Sequence, residues 1–554
     1  MRSLCVALPV SSFGLSSNPE EISKRVEALA AQPCVTRILI LHHDAEAAQI
    51  AQRISGATGK LEFVKVDSWL SGKDMMRILE AVQADGLLLS LNEANIAFER
   101  RGLEQFMEAA RILGAGLVYS DSRQIVGTDV IERPRINYQM GSIGEAFDFG
   151  VVVLVSKQAA EEVLRNHGPI EQDIRWGGFY DLRLKLSIDF PIFRVAEALY
   201  AETVSLGGPP RTAPRSPAKP FYVLDRGNRE YQNELERIAT AHLRRLGAFL
   251  ESGNCPPPSP DEYFPVPVSI IIPTRNRERT LAGAIQSALD QTTSFDYNVI
   301  IVDDHSTDRT GEIVEEFASR HKNVIHIMPE RYDLGVGGLW NEAIYSPQCG
   351  LYAVQLDSDD VYAHERAVET LISEFKSPGA SDSMNEPRYA MVVGSYTFVN
   401  FDLKEIPPGV NQRLELSREN GRNNVLCIEG PGAPRAFYVP ALRRAGFPNV
   451  SFGEDYAVAL RIGRQYDIGR VFEPLYLARQ WEGNTYRSLP LGTIKSANIE
   501  DILPAGIDQQ EFLRRMRSIV MLMTITTANR NNAYKDYLRT VEIQARRKQN
   551  QYAR

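Results

Sequence analysis

From Val268 onward the chain alternates short apolar runs with segments whose apolar residues fall on one helical face. The run Val268-Ser269-Ile270-Ile271-Ile272 reads as a buried strand, and Leu281, Ala284, Ile285, Ala288 and Leu289 then line one side of a helix. The same pair of patterns recurs as a strand over Asn298 to Val302 followed by a helix through Ile313, Val314 and Phe317. Strand Val324 to Met328, a helical stretch around Leu339 to Ala343, and strand Leu351 to Leu356 come next. A helix with Ala367, Val368, Leu371, Ile372 and Phe375 aligned closes the series. Continuous apolar strands separated by amphipathic helices predict an α/β domain whose mostly parallel sheet is covered on both faces.

At 554 residues the chain is too long for one ordinary core, so two or three domains are expected. The main break opens with Gly207-Gly208-Pro209-Pro210 and the Pro-rich stretch to Pro220, which reads as a stiff linker. Leu235, Ile238, Ala239, His242 and Leu246 then recur at helical spacing, and the breaker Cys255-Pro256-Pro257-Pro258 follows. The expected division is a domain over 1–204, a linker with a bridging helix over 205–264, a second domain over 265–490, and a tail over 491–554. The tail holds a helical stretch, Gln510 to Thr526, and a basic end from Ala545 to Arg554.

Composition narrows the function classes. A net charge of -8 argues against a general nucleic-acid binder. The most apolar short run of the tail, Ile519 to Ile525, is far below the length needed to span a bilayer, so no transmembrane segment is expected. The opening residues lead directly into a strand-like Cys5-Val6-Ala7-Leu8-Pro9-Val10 without signal-peptide features. Five scattered cysteines with no CxxC pair argue against a zinc site or a disulfide framework. A cytoplasmic location, peripheral at most to the inner face of the membrane, is the expectation.

In open α/β sheets ligands bind beyond the carboxyl ends of the strands. Polar clusters fall there three times: Pro273-Thr274-Arg275-Asn276-Arg277, Asp303-Asp304-His305-Ser306-Thr307-Asp308, and Asp357-Ser358-Asp359-Asp360. Any one alone reads equally well as a solvated loop. Like charges as close as Asp357, Asp359 and Asp360 repel, so a cation or donor is needed to offset them. Hard oxygen ligands of this kind suit Mn²⁺ or Mg²⁺, with phosphates completing the coordination. An acidic cap on the helix that follows explains one of these aspartates but not three. Further on, Glu454-Asp455 opens another helical stretch. The pair reads either as an N-terminal helix charge or as a general base positioned to take a proton from a hydroxyl.

The order SIIIPTRNR, NVIIVDDHSTD, LGVGGLWNEAI, LDSDD and GPGAPRAFYVPALRRAGFPNVSFGEDYAVALRI resembles the family 2 glycosyltransferases of GT-A fold over about 220 residues. The resemblance implies that Pro273, Thr274, Arg275 and Asn276 form the first nucleotide-contacting loop and that Asp304 contacts the base. It implies that Asp357 lies on the ribose or diphosphate side, that Asp359 is the metal ligand, and that Asp455 is the catalytic base with Glu454 beside it. Gly338 and Asn341 border the donor, while Gly432, Ala433, Arg479 and Trp481 are candidate donor or acceptor contacts. The implied reaction is inverting transfer of one sugar from a nucleotide-sugar, a UDP-sugar first and GDP- or TDP-sugars next. The acceptor is a hydroxyl on a carbohydrate or lipid-linked molecule, in cell-surface polysaccharide or glycoconjugate synthesis. Lewis-acid stabilisation of the departing diphosphate and a base at the acceptor suffice, without a covalent intermediate. Glycoside hydrolases also use two carboxylates but have no use for a diphosphate-metal motif. Three departures stand out: His305 replaces a smaller residue, no histidine follows His364, and the Gln-x-x-Arg-Trp motif of processive members is absent.

The first half repeats the second in outline. Trp176-Gly177-Gly178-Phe179-Tyr180 before IFRVAEALYA parallels Phe452-Gly453-Glu454-Asp455-Tyr456 before IGRVFEPLYLA, and Pro9 ends an opening strand as Pro273 does. Aligned this way, His42 and His43 stand at Asp303 and Asp304, Ala94 at Asp359, and Phe179 at Asp455. A second, degenerate GT-A-like domain without nucleotide chemistry is expected, suited to packing on its neighbour, holding an acceptor or building a homo-oligomer interface. The alternatives are a two-site transferase with an active first half, and a catalytically dead sugar- or nucleotide-binding scaffold.

Overall fold

The computed structural model describes residues 1–10, 19–43, 59–93, 95–138, 141–145, 147–204, 229–251, 256–376, 386–412, 414, 416–417, 419–428, 430–451 and 453–482. The chain divides after Leu246 into two units. The Pro-rich stretch to Pro220, Ala94 and the tail beyond Glu482 lie outside the described residues.

The first unit contains strands β1 (Leu4–Pro9), β2 (Val35–His42), β3 (Leu61–Lys65), β4 (Gly86–Ser90), β5 (Asn95–Phe98), β6 (Leu117–Val126), β7 (Asp129–Arg133), β8 (Val152–Ser156) and β9 (Ile192–Val204). They form one sheet in the order β3-β2-β1-β4-β8-β6-β9-β5, with β7 paired to β6. The second unit contains β10 (Val268–Thr274), β11 (Tyr297–Asp303), β12 (Val324–Ile327), β13 (Tyr352–Gln355), β14 (Val361–Tyr362), β15 (Met391–Val399), β16 (Glu405–Asn411), β17 (Arg435–Tyr438) and β18 (Ile468–Arg479). Its order is β12-β11-β10-β13-β17-β15-β18-β14, with β16 on β15. Adding nine to each strand number turns the first order into the second.

In the second unit β10 to β13 pair in parallel, β17 runs antiparallel to both β13 and β15, and β18 runs parallel to β15. Most strands therefore point one way, with β17 reversed in their midst. Helices such as Leu281–Leu289 and Thr310–Arg320 make the crossovers between parallel neighbours. Ile270, Ile271, Ile272 and Val299 to Val302 are fully buried, which accounts for unbroken apolar runs in place of alternation. Thr274, Asp303 and Gln355 end their strands at one edge of the sheet, so the loops after them gather there.

Beside that edge, helix Val336–Ile344 meets the loop that leads to helix Glu454–Gln465. A Cβ on Gly335 would lie 2.4 Å from the carbonyl carbon of Val450, and one on Gly337 would lie 1.9 Å from the Pro448 carbonyl oxygen. Only glycine permits this approach of backbone to backbone.

Helix Arg229–Arg245, read from the sequence as a bridge, packs within the first unit. Its Glu234 carboxylate accepts backbone N–H bonds from Arg175 (2.8 Å), Trp176 (2.9 Å) and Gly177 (2.9 Å), at the start of helix Gly178–Asp189. Such an acceptor takes up donors that the helix itself cannot satisfy. Glu234→Ala should lower the stability of the first unit by about 2–3 kcal/mol, the scale of charged hydrogen bonds lost from a buried site. Urea unfolding of the purified chain measures it, and an unchanged midpoint would contradict the capping role.

Candidate active site

The loops after β10 and β11 are tied to each other. Asn276, in the left-handed region at φ 51°, accepts the Thr307 N–H at its Oδ1 (2.8 Å), and its own N–H donates to Ser306 Oγ (2.9 Å). Asp303 is buried and accepts the Ser306 N–H and hydroxyl, so it serves the turn. Asp304 differs. Arg275 Nη1 donates to its Oδ2 at 2.9 Å, while its Oδ1 is buried with no hydrogen-bond partner among the described residues, as is Thr274 Oγ1. Two buried polar atoms without partners at a strand end mark a place where a polar ligand group is wanted. Next to them His305, also left-handed, stacks on exposed Tyr332 at 3.8 Å and bonds the Arg331 carbonyl through Nε2.

After β13, Gln355 Nε2 donates to both oxygens of Asp357 (2.8 and 2.9 Å), and the Asp357 N–H donates to the Tyr476 hydroxyl. Asp360 is buried and accepts the Arg479 N–H at 2.7 Å, while Trp481 Nε1 donates to Asp359 Oδ2 at 3.2 Å. Burial raises the Asp357 carboxyl, opposed by Arg435 and Gln355 and reinforced by Asp359. Burial, then the charges of Asp359 and Asp357, raise Asp360 well above the ordinary range. Asp359 and Asp357 thus sit half-buried in an excess of negative charge, a donor set suited to a hard divalent cation that keeps phosphate or water ligands. Among the described residues no three His, Cys, Asp or Glu side chains converge as a complete cage.

Gly453, at φ 76°, lets the chain turn into helix Glu454–Gln465 and opens it with the two acids. Arg435, the first residue of β17, is buried and its Nη1 pairs with Asp455 Oδ2, while Asp455 Oδ1 accepts the Tyr456 N–H at 2.7 Å. Burial opposes the Arg435 charge, but the carboxylates of Asp455, Asp357 and Glu454 outweigh it and raise its pKa. Burial and then the Asp455 charge push Glu454 up to about 8, so Glu454 holds a proton at neutral pH. Sequence reasoning missed Arg435. The signal was an arginine opening the otherwise apolar strand Arg435-Ala436-Phe437-Tyr438.

The remaining candidates separate into two groups. Asn341 uses both ends of its amide on Phe447, donating to its carbonyl (2.9 Å) and accepting its N–H (3.1 Å), while a Cβ on Gly338 would lie 2.3 Å from Asn449 Oδ1. Both brace the loop that precedes Glu454. Gly432 and Ala433 are half-buried in the loop before β17, and in the same loop a Cβ on Gly430 would lie 3.9 Å from Asp455 Oδ2. Arg479 and Trp481 reach the acidic cluster from the end of β18.

Residues 269–431 match the model of the Glycosyl transferase family 2. The second unit carries a family 2 glycosyltransferase domain. Its sheet and that of the first unit are two mixed α/β sheets of mostly parallel strands, as the sequence pattern implied. The chain is 38% identical over 109 residues to a chondroitin synthase of Escherichia coli, covering 20% of this chain and 15% of that protein. It is 36% identical over 105 residues to the poly(ribitol-phosphate) beta-N-acetylglucosaminyltransferase TarP of Staphylococcus aureus, covering 19% and 31%. The crystal structure of S. aureus TarS 1-349 in complex with UDP-GlcNAc aligns at a TM-score of 0.33 and 19% identity, covering 47% of this chain and 74% of that one. The chain spans less than half the length of these curated relatives.

With the sheets superposed strand for strand, the first unit reveals what it lacks. Tyr119↔Arg194 and Ser122↔Tyr200 repeat Val393↔Arg470 and Tyr396↔Tyr476. Leu88↔Leu154 repeats Val354↔Ala436, which puts Val153 at the position of Arg435. Phe179, at the position of Asp455, packs at 6.2 Å against Phe149, which joins Tyr119, Tyr138 and Phe147 in one ring cluster. Arg183 lies over Tyr138, Phe149 and Tyr180 and donates to the Ser142 and Gly144 carbonyls. Tyr138, Phe147 and Phe149 therefore fill the region with their rings. Nine positions separate Leu89 from Phe98 but seven separate the corresponding Gln355 and Tyr362, so the loop of the first unit is two residues longer, and Ala94, aligned with Asp359 from the sequence, lies outside the described residues.

Glu454 generates a pH prediction. Its pKa rises on folding from the ordinary 4.5 to about 8, so its favourable contribution is complete below 4.5 and is lost as pH climbs through 8. Wild type should lose stability relative to Glu454→Gln between pH 5 and pH 8. Denaturation midpoints at several pH values measure this, and parallel curves would show that Glu454 is ionised in the folded protein.

Proposed function

We propose that the second unit transfers a single sugar from a nucleotide-sugar to a hydroxyl acceptor with inversion. The observation that carries this reading is the alignment, along one sheet edge, of Asp304 with its unpartnered carboxylate oxygen, the Asp357 to Asp360 acids, and Asp455 held by Arg435. Asp304 and Thr274 accept and orient the base. A Mn²⁺ or Mg²⁺ ion fits the carboxylates of Asp359 and Asp357, and when bound supplies Lewis-acid stabilisation of the leaving nucleoside diphosphate. Asp455 takes the proton of the acceptor hydroxyl as that oxygen attacks the anomeric carbon. Glu454 is less suited to this because its carboxyl already holds a proton at neutral pH. Arg435 fixes the Asp455 carboxylate and keeps the neighbouring acids from repelling it.

The donor is a UDP-sugar, with GDP- and TDP-sugars as the alternatives to be tested beside it. The names of the relatives, a chondroitin synthase and poly(ribitol-phosphate) glycosyltransferases, support a carbohydrate or polyol-phosphate acceptor in surface-polymer synthesis. No helix among the described residues is long and apolar enough to cross a membrane. The first unit is proposed to bind no nucleotide, because neither Val153 nor Phe179 can serve as the charged groups they replace.

Calorimetry with UDP, GDP and TDP should show tighter binding in Mn²⁺ or Mg²⁺ than in EDTA for at least one of them. Equal affinity in EDTA for wild type and Asp359→Ala would remove the metal from the reading. Asp455→Asn should retain donor binding and lose transfer by about 10²-fold or more, the usual scale for a missing general base. Near-normal turnover in that variant would place the base elsewhere.

A further inference from the structure

Next to the acidic cluster lies a group of side chains from three separate segments. Arg279 sits in the turn before helix Leu281–Leu289, Phe401 in the turn after β15, and Arg479, Trp481 and Glu482 at and beyond the end of β18. The Arg279 guanidinium lies 5.0 Å from the Phe401 ring centre and 5.1 Å from that of Trp481. The Arg479 guanidinium lies 5.4 Å from the same Phe401 ring. Trp481 in turn donates to Asp359 at 3.2 Å, and the Arg479 backbone donates to Asp360.

Two guanidinium groups gathered on one phenyl ring repel each other, and the ring's face offsets that repulsion only in part. The arrangement gains most when an anion lies between or beside them. On the Arg279 side one such anion is Glu482, whose Oε1 meets Arg279 Nη1 at 2.6 Å. Both partners of that pair are more than half exposed, so the bond is weakly held and open to exchange. The stacking on Phe401 and Trp481 fixes the plane of the Arg279 fork and leaves its N–H edge for an acceptor of matching geometry. Phosphate oxygens are such an acceptor.

We propose that Arg279 and Arg479, gathered on Phe401, bind the diphosphate of the nucleotide donor, and that Glu482 occupies Arg279 until the diphosphate displaces it. This rests on the donor reading given above and adds to it two residues, Arg279 and Phe401, that lie far from the acids in sequence. Trp481 acts as a positioning residue, since its one N–H links the cationic group to Asp359. The arrangement puts positive charge beside the carboxylates, where the leaving group accumulates negative charge.

The test compares UDP, UMP and uridine by calorimetry in Mn²⁺ with wild type, Arg279→Gln and Glu482→Gln. Arg279 is at the surface, and thermal unfolding of each variant verifies its fold. Arg279→Gln should weaken UDP by about tenfold and leave UMP within about twofold, the pattern of one lost charge-assisted contact to the second phosphate. Glu482→Gln should tighten UDP, because the competing carboxylate is gone. A wild-type ratio of UDP to UMP affinity in both variants would overturn the proposal while leaving nucleotide binding intact. Failure of wild type to bind any nucleotide would instead overturn the donor reading and this proposal with it.

Discussion

One buried guanidinium makes the acidic end of the second sheet tenable. Asp357, Asp360, Glu454 and Asp455 lie along that end in surroundings that disfavour charge, and Arg435 is a cation whose influence reaches Asp455, Asp357 and Glu454. Carboxylates so placed would otherwise neutralise by taking up protons. Strand reversal is what delivers the cation. Because β17 runs antiparallel between β13 and β15, its first residue lies at the edge where the parallel strands have their last. An arginine one pleat deeper would be stranded among Ala436, Phe437 and the rest of the apolar core.

The parallel half of the sheet was legible because its strands are buried on both faces and announce themselves as unbroken apolar runs. Three polar clusters at three strand ends were legible for the same reason: each interrupts such a run abruptly. The antiparallel half was not, since β14 has two residues and β16 is mostly exposed. Arg435 escaped notice because its partner Asp455 lies twenty positions on, across a helix and a loop. Asn341, which the motif puts at the donor, has its amide bonded to the Phe447 backbone. A polar residue near a motif and a polar residue facing a ligand look alike until the direction of the side chain is known.

The first unit keeps the same strand order with different side chains at the positions of the ion pair. Val153 and Phe179 replace both members of the ion pair, so neither charge is left buried without the other. Removing one partner alone leaves an uncompensated ion, which costs far more than removing both. The space is then taken up by aromatic rings and by Arg183, whose charge is met by carbonyl oxygens and ring faces. What persists between the two units is the strand order and, where β6 pairs with β9 and β15 with β18, the register and its irregularity, which rest on backbone pairing and apolar packing.

The contact of Glu234 with the amides of Arg175, Trp176 and Gly177 also bears on how the first half can be produced by itself. A fragment ending at Val204 would retain every strand of its sheet and still lack the acceptor for three adjacent donors. It would also lose Ile238, whose Cδ1 lies 2.3 Å from where a Cβ on Gly177 would be. A fragment carried through Arg245 keeps both. The segment that looks like the start of a connector is therefore the last structural piece of the body before it.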